Sequence, residues 1–220
     1  CHDLRMLQAF KEMEEPFGKQ QKGSSAMPYK RNPMTLERIC SLCRKVTGFL
    51  TEALMTQSTQ WFERSLDDSA GRRMYLAEAV LTVDGVLEAL QFCSEGLVVN
   101  EAIVRKRLLE ELPFMATEKI LMAMVQLGGD RQECHTKLRD MAQAAGDRVK
   151  QGGTHNDLIE QIRADAFFTP IHAMLDSLMD PTTFTGCCRE QVEQFIGTTV
   201  EPIRAQYRDV LTEDAVTLLV

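Results

Sequence analysis

From about Met34 to Ser58 the apolar residues Leu36, Ile39, Val46, Phe49, Leu50, Ala53 and Leu54 recur at helical spacing. That period predicts one long amphipathic helix, entered at Pro33, whose missing N–H is no loss in a first turn. A second run, from about Asp68 to Ser94, sets Leu76, Val80, Val83, Leu87 and Leu90 at steps of four, three, four and three. Such spacing is a heptad seam. Asp67, Asp68 and Ser69 read as caps for its start, with acids suited to the positive end of the helix dipole. Two long helices joined by a short turn predict an antiparallel pair within a helical bundle. The seam fits core in this chain as well as a face offered to a second subunit. Stripes this long, with few partners in the chain, favour oligomerisation.

After Glu95-Gly96 the pattern shortens, punctuated by Asn100, Pro113, Gly128-Gly129, Gly152-Gly153, Pro170, Pro181 and Gly186. Helices are predicted over about 101–111, 114–126, 131–150, 156–166, 170–179 and 188–210. Strand-like alternation is nearly absent and no internal repeat occurs. The predicted class is all-α: a long-helix bundle segment, 1–99, followed by a compact carboxy-terminal helical domain, 100–220.

Composition narrows the function classes. The 220 residues carry a net charge of −7, and 44% are hydrophobic. An acidic balance argues against a general nucleic-acid-binding role, although it permits a local basic pocket. No uncharged run exceeds ten residues, whereas a bilayer span needs roughly 20 apolar ones, so no membrane insertion is expected. Seven cysteines, odd in number and irregularly spaced, point to a reduced, intracellular protein. Cys40-x-x-Cys43 lies inside a helical pattern with no second pair at ligand spacing, so no metal site is expected. The chain starts at Cys1 without an initiator Met or a signal-peptide pattern, which suggests a segment of a longer protein.

One stretch departs from bundle character: Gly23-Ser24-Ser25-Ala26-Met27-Pro28-Tyr29-Lys30-Arg31-Asn32-Pro33. It leads from a polar segment into the first long helix and so reads as a loop. Gly23 permits unusual backbone angles, and two hydroxyls stand beside free backbone N–H groups. Lys30, Arg31 and Asn32 sit near the helix N-terminus, where anions are favoured. These features describe an anion-binding loop with one or two candidate bases or nucleophiles, or else a polar helix entry. Neither a Walker A nor a G-x-S-x-G spacing is present.

Gly23-Ser24-Ser25-x-Met27-Pro28-x-Lys30-x-Asn32-Pro33 resembles the signature loop of the fumarase/aspartase superfamily, whose members release fumarate by β-elimination. Gln60-Trp61-Phe62-Glu63-Arg64-Ser65-Leu66-Asp67-Asp68-Ser69-Ala70-Gly71-Arg72-Arg73 resembles the animal type of its adenylosuccinate lyase family. So do Ser94 to Val99, Leu112 to Glu118 and Asn156 to Glu160. The likeness covers essentially all 220 residues and corresponds to roughly the carboxy-terminal half of the family's chain. It makes 1–99 the end of the superfamily's central bundle domain.

The resemblance implies that adenylosuccinate is split to AMP and fumarate, and SAICAR to AICAR and fumarate, in purine nucleotide biosynthesis. It implies Ser24 as general base, with Lys30 and Asn32 holding the succinyl carboxylates. Ser25, Arg38, Arg64, Ser69 and Arg73 match substrate-binding positions. The acid histidine of the family lies outside this segment. His2, His135, His155 and His172 therefore read as surface or packing residues, and the segment alone is expected to be inactive. A cytoplasmic homotetramer with sites shared between subunits, needing no metal or organic cofactor, completes the expectation. The loop alone leaves open an argininosuccinate lyase, fumarase or cycloisomerase type. Against those stands the Arg64/Ser69/Arg73 set, which a non-phosphorylated substrate does not need. A non-catalytic scaffold on the same fold is the remaining alternative, and intact Ser24, Lys30 and Asn32 speak against it.

Overall fold

The computed structural model describes residues 1–18, 21–24 and 26–211, which fall into two compact units, 1–103 and 104–211. Both are helical, as the periodicity predicts. The first unit opens with α1 (His2–Ala9) and β1 (Met13–Glu14), followed after the loop by α2 (Met34–Ser58) and α3 (Leu66–Glu95). It ends on β2 (Val98–Val99) and the first turn of α4 (Glu101–Met115). The two strands pair antiparallel, Met13 opposite Val99 and Glu14 opposite Val98. With two residues each they are too short to leave an alternating pattern, and neither they nor α1 is predicted from the sequence.

α2 and α3 form the expected antiparallel hairpin. Leu36 and Ile39 at the start of α2 meet Ala89 and Cys93 at the end of α3, while Lys45 pairs with Glu78 at 3.5 Å near mid-length. α3 begins earlier than predicted. Its cap position is Ser65, so Asp67, Asp68 and Ser69 lie within the first turns and do not cap the helix. Apart from Phe49, the apolar side chains buried in the hairpin nonetheless lie at one end of it. Along the rest of α3 the seam faces outward, with Val80 68% and Leu87 57% exposed. Of the two readings of the heptads, core is therefore not what the described residues show.

The second unit holds most of the buried core. Its other helices are α5 (Thr117–Gln126), α6 (Arg131–Gly152), α7 (Leu158–Ala164), α8 (Leu175–Leu178), α9 (Cys188–Phe195) and α10 (Glu201–Gln206). Ile120, Met124, Cys134, Leu138, Leu158, Ile162, Phe168, Ile171 and Leu175 form one contiguous cluster. Burying each large side chain of this kind contributes about 1.5–3 kcal/mol. Asp130 caps α6 by accepting the Gln132 and Glu133 N–H groups at 2.9 Å, and Gly153 ends it in the left-handed region. Three predicted boundaries shift. Pro113 does not break the chain but sits inside α4, buried with Leu112 in the core. The single helices expected over 156–166 and 170–179 are α7 and α8 with a 3-10 segment, Ala166–Met174, between them. The one expected over 188–210 passes through a π-helical stretch at Ile196–Val200 and ends at Gln206.

Candidate functional site

The loop before α2 is closed by its own backbone. A Cβ on Gly23 would stand 2.0 Å from the Lys30 carbonyl oxygen, so only glycine lets the two strands of the stem meet. The requirement is space rather than unusual angles, since Gly23 is not among the residues with positive φ. Asn32 Nδ2 donates to the Gly23 carbonyl at 2.8 Å and fastens the same stem. Within the loop the Lys30 N–H closes a turn onto the Met27 carbonyl at 3.0 Å. Ser24 Oγ accepts the backbone N–H groups of Ala26 (3.3 Å) and Met27 (3.1 Å). Two donors aimed at one oxygen stabilise it as charge builds there. Ser25 lies outside the described residues.

Lys30 and Asn32 line a cleft of about 950 Å³ together with Arg5, Lys11, Tyr29 and Glu37. His2 is on its wall as well, although Ser24 is not. Arg31 is taken up by Glu14, whose Oε2 lies 3.2 Å from Nη1, and by the ring of Phe17 beneath it at 5.3 Å. Arg5 faces Glu37 at 3.8 Å, and its Nε is buried with no hydrogen-bond partner among the described residues. Lys30 is exposed and makes no ion pair among those residues, which leaves its ammonium group for a ligand. The cleft thus collects cations around an unpaired lysine and suits a carboxylate-bearing molecule.

The start of α2 is not the open anion cradle that the sequence suggests. The Thr35 and Leu36 N–H groups are both taken by the Glu15 carboxylate, at 3.0 and 2.9 Å. Glu15 itself is buried at 1% exposure. No pattern marks Glu15 in the sequence; Glu14-Glu15-Pro16 shows only acids before a proline.

Arg64, Ser69 and Arg73 lie at the far end of the hairpin, where Ser69 and Arg73 line one shallow groove with Arg72, and Arg64 is held by Asp68. Arg64 Nε lies 3.3 Å from Asp68 Oδ2, which Arg72 also reaches at 3.4 Å. Arg73 Nη1 donates to Ser69 Oγ at 3.1 Å. Trp61 and Phe62 stand beside them, 86% and 91% exposed. Arg38, on the first turns of α2, is exposed and has no partner among the described residues. Between the loop and the arginine cluster run the 25 residues of α2, about 37 Å at 1.5 Å per residue. One chain therefore does not bring the two sets into one pocket.

His2, His135 and His155 are exposed, and His172 Nε2 sits 3.2 Å from the Ile162 carbonyl. Asn156 and Asp157 have structural partners: Asn156 Nδ2 donates to the Glu110 carbonyl at 3.1 Å, and Arg148 pairs with Asp157 at 2.8 Å. Arg148 holds the Asp157 carboxyl below its ordinary value. Among the described residues no group of three or more His, Cys, Asp or Glu gathers as for a metal, and no helix is long and apolar enough to cross a membrane.

Comparison with known proteins places the chain. Residues 113–195 match the family model described as adenylosuccinate lyase C-terminus, and residues 1–48 match one described as lyase. The chain is 48% identical over 218 residues to the adenylosuccinate lyase of Schizosaccharomyces pombe, spanning 99% of its own length and 45% of that protein. Against the Saccharomyces cerevisiae adenylosuccinate lyase it is 48% identical over 216 residues, 98% of the chain and again 45% of the relative. The chain thus spans a little under half the length of the curated relatives it matches. A crystal structure of 3-carboxy-cis,cis-muconate lactonizing enzyme from Pseudomonas putida shares the fold. Its TM-score is 0.72 at 24% identity, over 89% of this chain and 42% of that one.

Proposed function

Because the chain belongs to the adenylosuccinate lyase family, we propose that the enzyme containing it eliminates fumarate from adenylosuccinate, leaving AMP, and from SAICAR, leaving AICAR. Its place is then purine nucleotide biosynthesis in the cytoplasm. Residues 1–99 serve as the end of the central bundle domain and 100–220 as the carboxy-terminal domain. The observation that carries the reading is the intact loop, in which Ser24, Lys30 and Asn32 stand on a stem that only Gly23 can close.

Elimination requires loss of a weakly acidic hydrogen next to a carboxylate, followed by cleavage of the C–N bond. Ser24 removes the hydrogen. The Ala26 and Met27 N–H groups favour the oxyanion that a serine base needs. Negative charge then builds on the neighbouring carboxylate, where Lys30 and Asn32 supply preplaced donors. The electron pair of the broken C–H bond forms the double bond of fumarate, and the leaving nitrogen takes a proton from a histidine outside these residues. No metal or organic cofactor takes part. Arg38, Arg64, Ser69 and Arg73, with Ser25, bind the substrate, arginine forks being suited to its phosphate and carboxylates alike.

The distance along α2 supports a site completed by other subunits, and the outward seam of α3 supports a homotetramer as the assembly that completes it. In the full-length protein Ser24→Ala is expected to lower turnover of adenylosuccinate by about 10²–10⁴-fold while AMP binds as before. Fumarate release followed by absorbance, with calorimetry for AMP, measures both. Unchanged turnover would remove Ser24 as the base, and cleavage of argininosuccinate in place of adenylosuccinate would overturn the substrate.

A further inference from the structure

Two buried polar residues upstream of the loop have no part in the chemistry above. Gln8, on α1, is 8% exposed and Glu15 is 1% exposed. Glu15 Oε1 accepts the Thr35 N–H at 3.0 Å and Oε2 accepts the Leu36 N–H at 2.9 Å. The carboxylate thus caps a helix whose own cap position, Pro33, has no side-chain acceptor. Gln8 ties the pieces together: its Oε1 accepts the Glu15 N–H at 3.1 Å, and its Nε2 donates to the Arg31 carbonyl at 3.2 Å. These bonds grip the chain on both sides of Asn32-Pro33.

A buried carboxylate costs free energy unless donors and field offset it. Here two backbone N–H groups and the positive end of α2 do so. A serine or aspartate at position 33 would satisfy the same donors locally and without a buried charge. A cap delivered from 20 residues away does something that a local one does not. It fixes where the loop stem sits relative to the segment 8–15. That segment also lines the cleft through Lys11 and Glu14, and Glu14 holds Arg31.

We infer that Glu15 and Gln8 are positioning residues for the elimination, setting the carboxy-terminal stem of the loop so that Lys30 and Asn32 meet the succinyl carboxylates. The inference rests on the roles proposed above for those two side chains. Glu15 does not line the cleft, and Gln8, which does, spends Nε2 on the Arg31 carbonyl and Oε1 on the Glu15 N–H. Both act through the backbone of residues 31 to 36.

The test uses the full-length enzyme with Glu15→Gln and, separately, Gln8→Ala. The first keeps one acceptor but turns an NH2 group toward a backbone N–H. The second leaves the cap intact and frees the Arg31 carbonyl. Misplacement of a catalytic group by ~1 Å costs on the order of 10²-fold in rate, so Glu15→Gln is expected to lower kcat by about that factor and Gln8→Ala by about ten-fold. AMP has a phosphate but no succinyl group, so its affinity is expected to stay within about two-fold in both variants. Tryptic cleavage after Lys30 or Arg31 is expected to quicken by about ten-fold, because the stem opens more often. Should Glu15→Gln fail to assemble, Gln8→Ala decides on the same readouts. Wild-type kcat in both variants would overturn the inference, and so would AMP affinity falling in step with kcat, the mark of general damage. Loss of activity in Ser24→Ala beside full activity in Glu15→Gln would refute the positioning role and leave the reaction standing.

Discussion

Cys93 lies fully buried against Leu36, Ile39 and Ala89. Burial, with the Glu15 carboxylate nearby, pushes its thiol from 9.0 up to about 11. Between those values the unfolded chain has released a proton that the folded one retains, so stability falls with rising pH. The contribution is complete below pH 9.0 and is lost as pH passes through about 11. Thermal melts of the full-length protein across that window are expected to show a steeper decline for wild type than for Cys93→Ala. Parallel curves would refute the placement of the thiol. At this scale the chemistry was legible where it is contiguous: Gly23, Ser24, Lys30 and Asn32 lie within ten residues, and the loop can be read as a unit. Glu15 and Gln8 were not, because a side chain that bonds to distant backbone amides leaves no period in the sequence. Even Gly23 reads in the sequence for a different property from the one it supplies, since its φ is not positive and the missing Cβ is what matters.

The elements whose periodicity runs for several turns were predicted best. α2 has the bounds that Pro33 and the apolar stripe imply, because 25 residues average out local exceptions. α1, β1 and β2 depend on contacts with residues far along the chain and are too short to declare themselves. Pro113 was read as a break because proline lacks the N–H that a helix needs. Burial of Leu112 and Pro113 holds the backbone helical through it. The seam of α3 has a prediction of its own. Leu76, Val80, Val83, Leu87 and Leu90 are 37–68% exposed on one helix, and a stripe of that kind needs a covering surface. Val83→Asp in the full-length protein would place a charge in the middle of that contact, at a cost of several kcal/mol per subunit interface if unpaired, on the order given for a buried ion. Sedimentation is expected to show dissociation to smaller species. An unchanged oligomer would mean that the seam is covered by something other than another copy.

At the scale of the molecule the sequence conveyed the class of fold and both clusters of charged residues, but not their separation. A linear motif says nothing about distance. Ser24 and Arg64 are 40 residues apart in the chain whether the segment between them doubles back or, as here, is mostly one helix. Because that helix is 25 residues long, the loop and the arginine cluster mark its two ends.

That spacing carries a genetic corollary. A chain spoiled at its loop still offers sound arginines, and a chain spoiled at its arginines still offers a sound loop. Two such alleles, each dead by itself, should rescue one another when produced in the same cell. With Ser24→Ala and Arg64→Ala chains mixed at random in equal amounts, about a quarter of all sites would draw both intact halves, provided that the halves come from different copies in a closed symmetric assembly. Purified mixed oligomers are expected to regain roughly that share of wild-type turnover. Activity no greater than the sum of the two parents would show that each copy builds its pocket unaided.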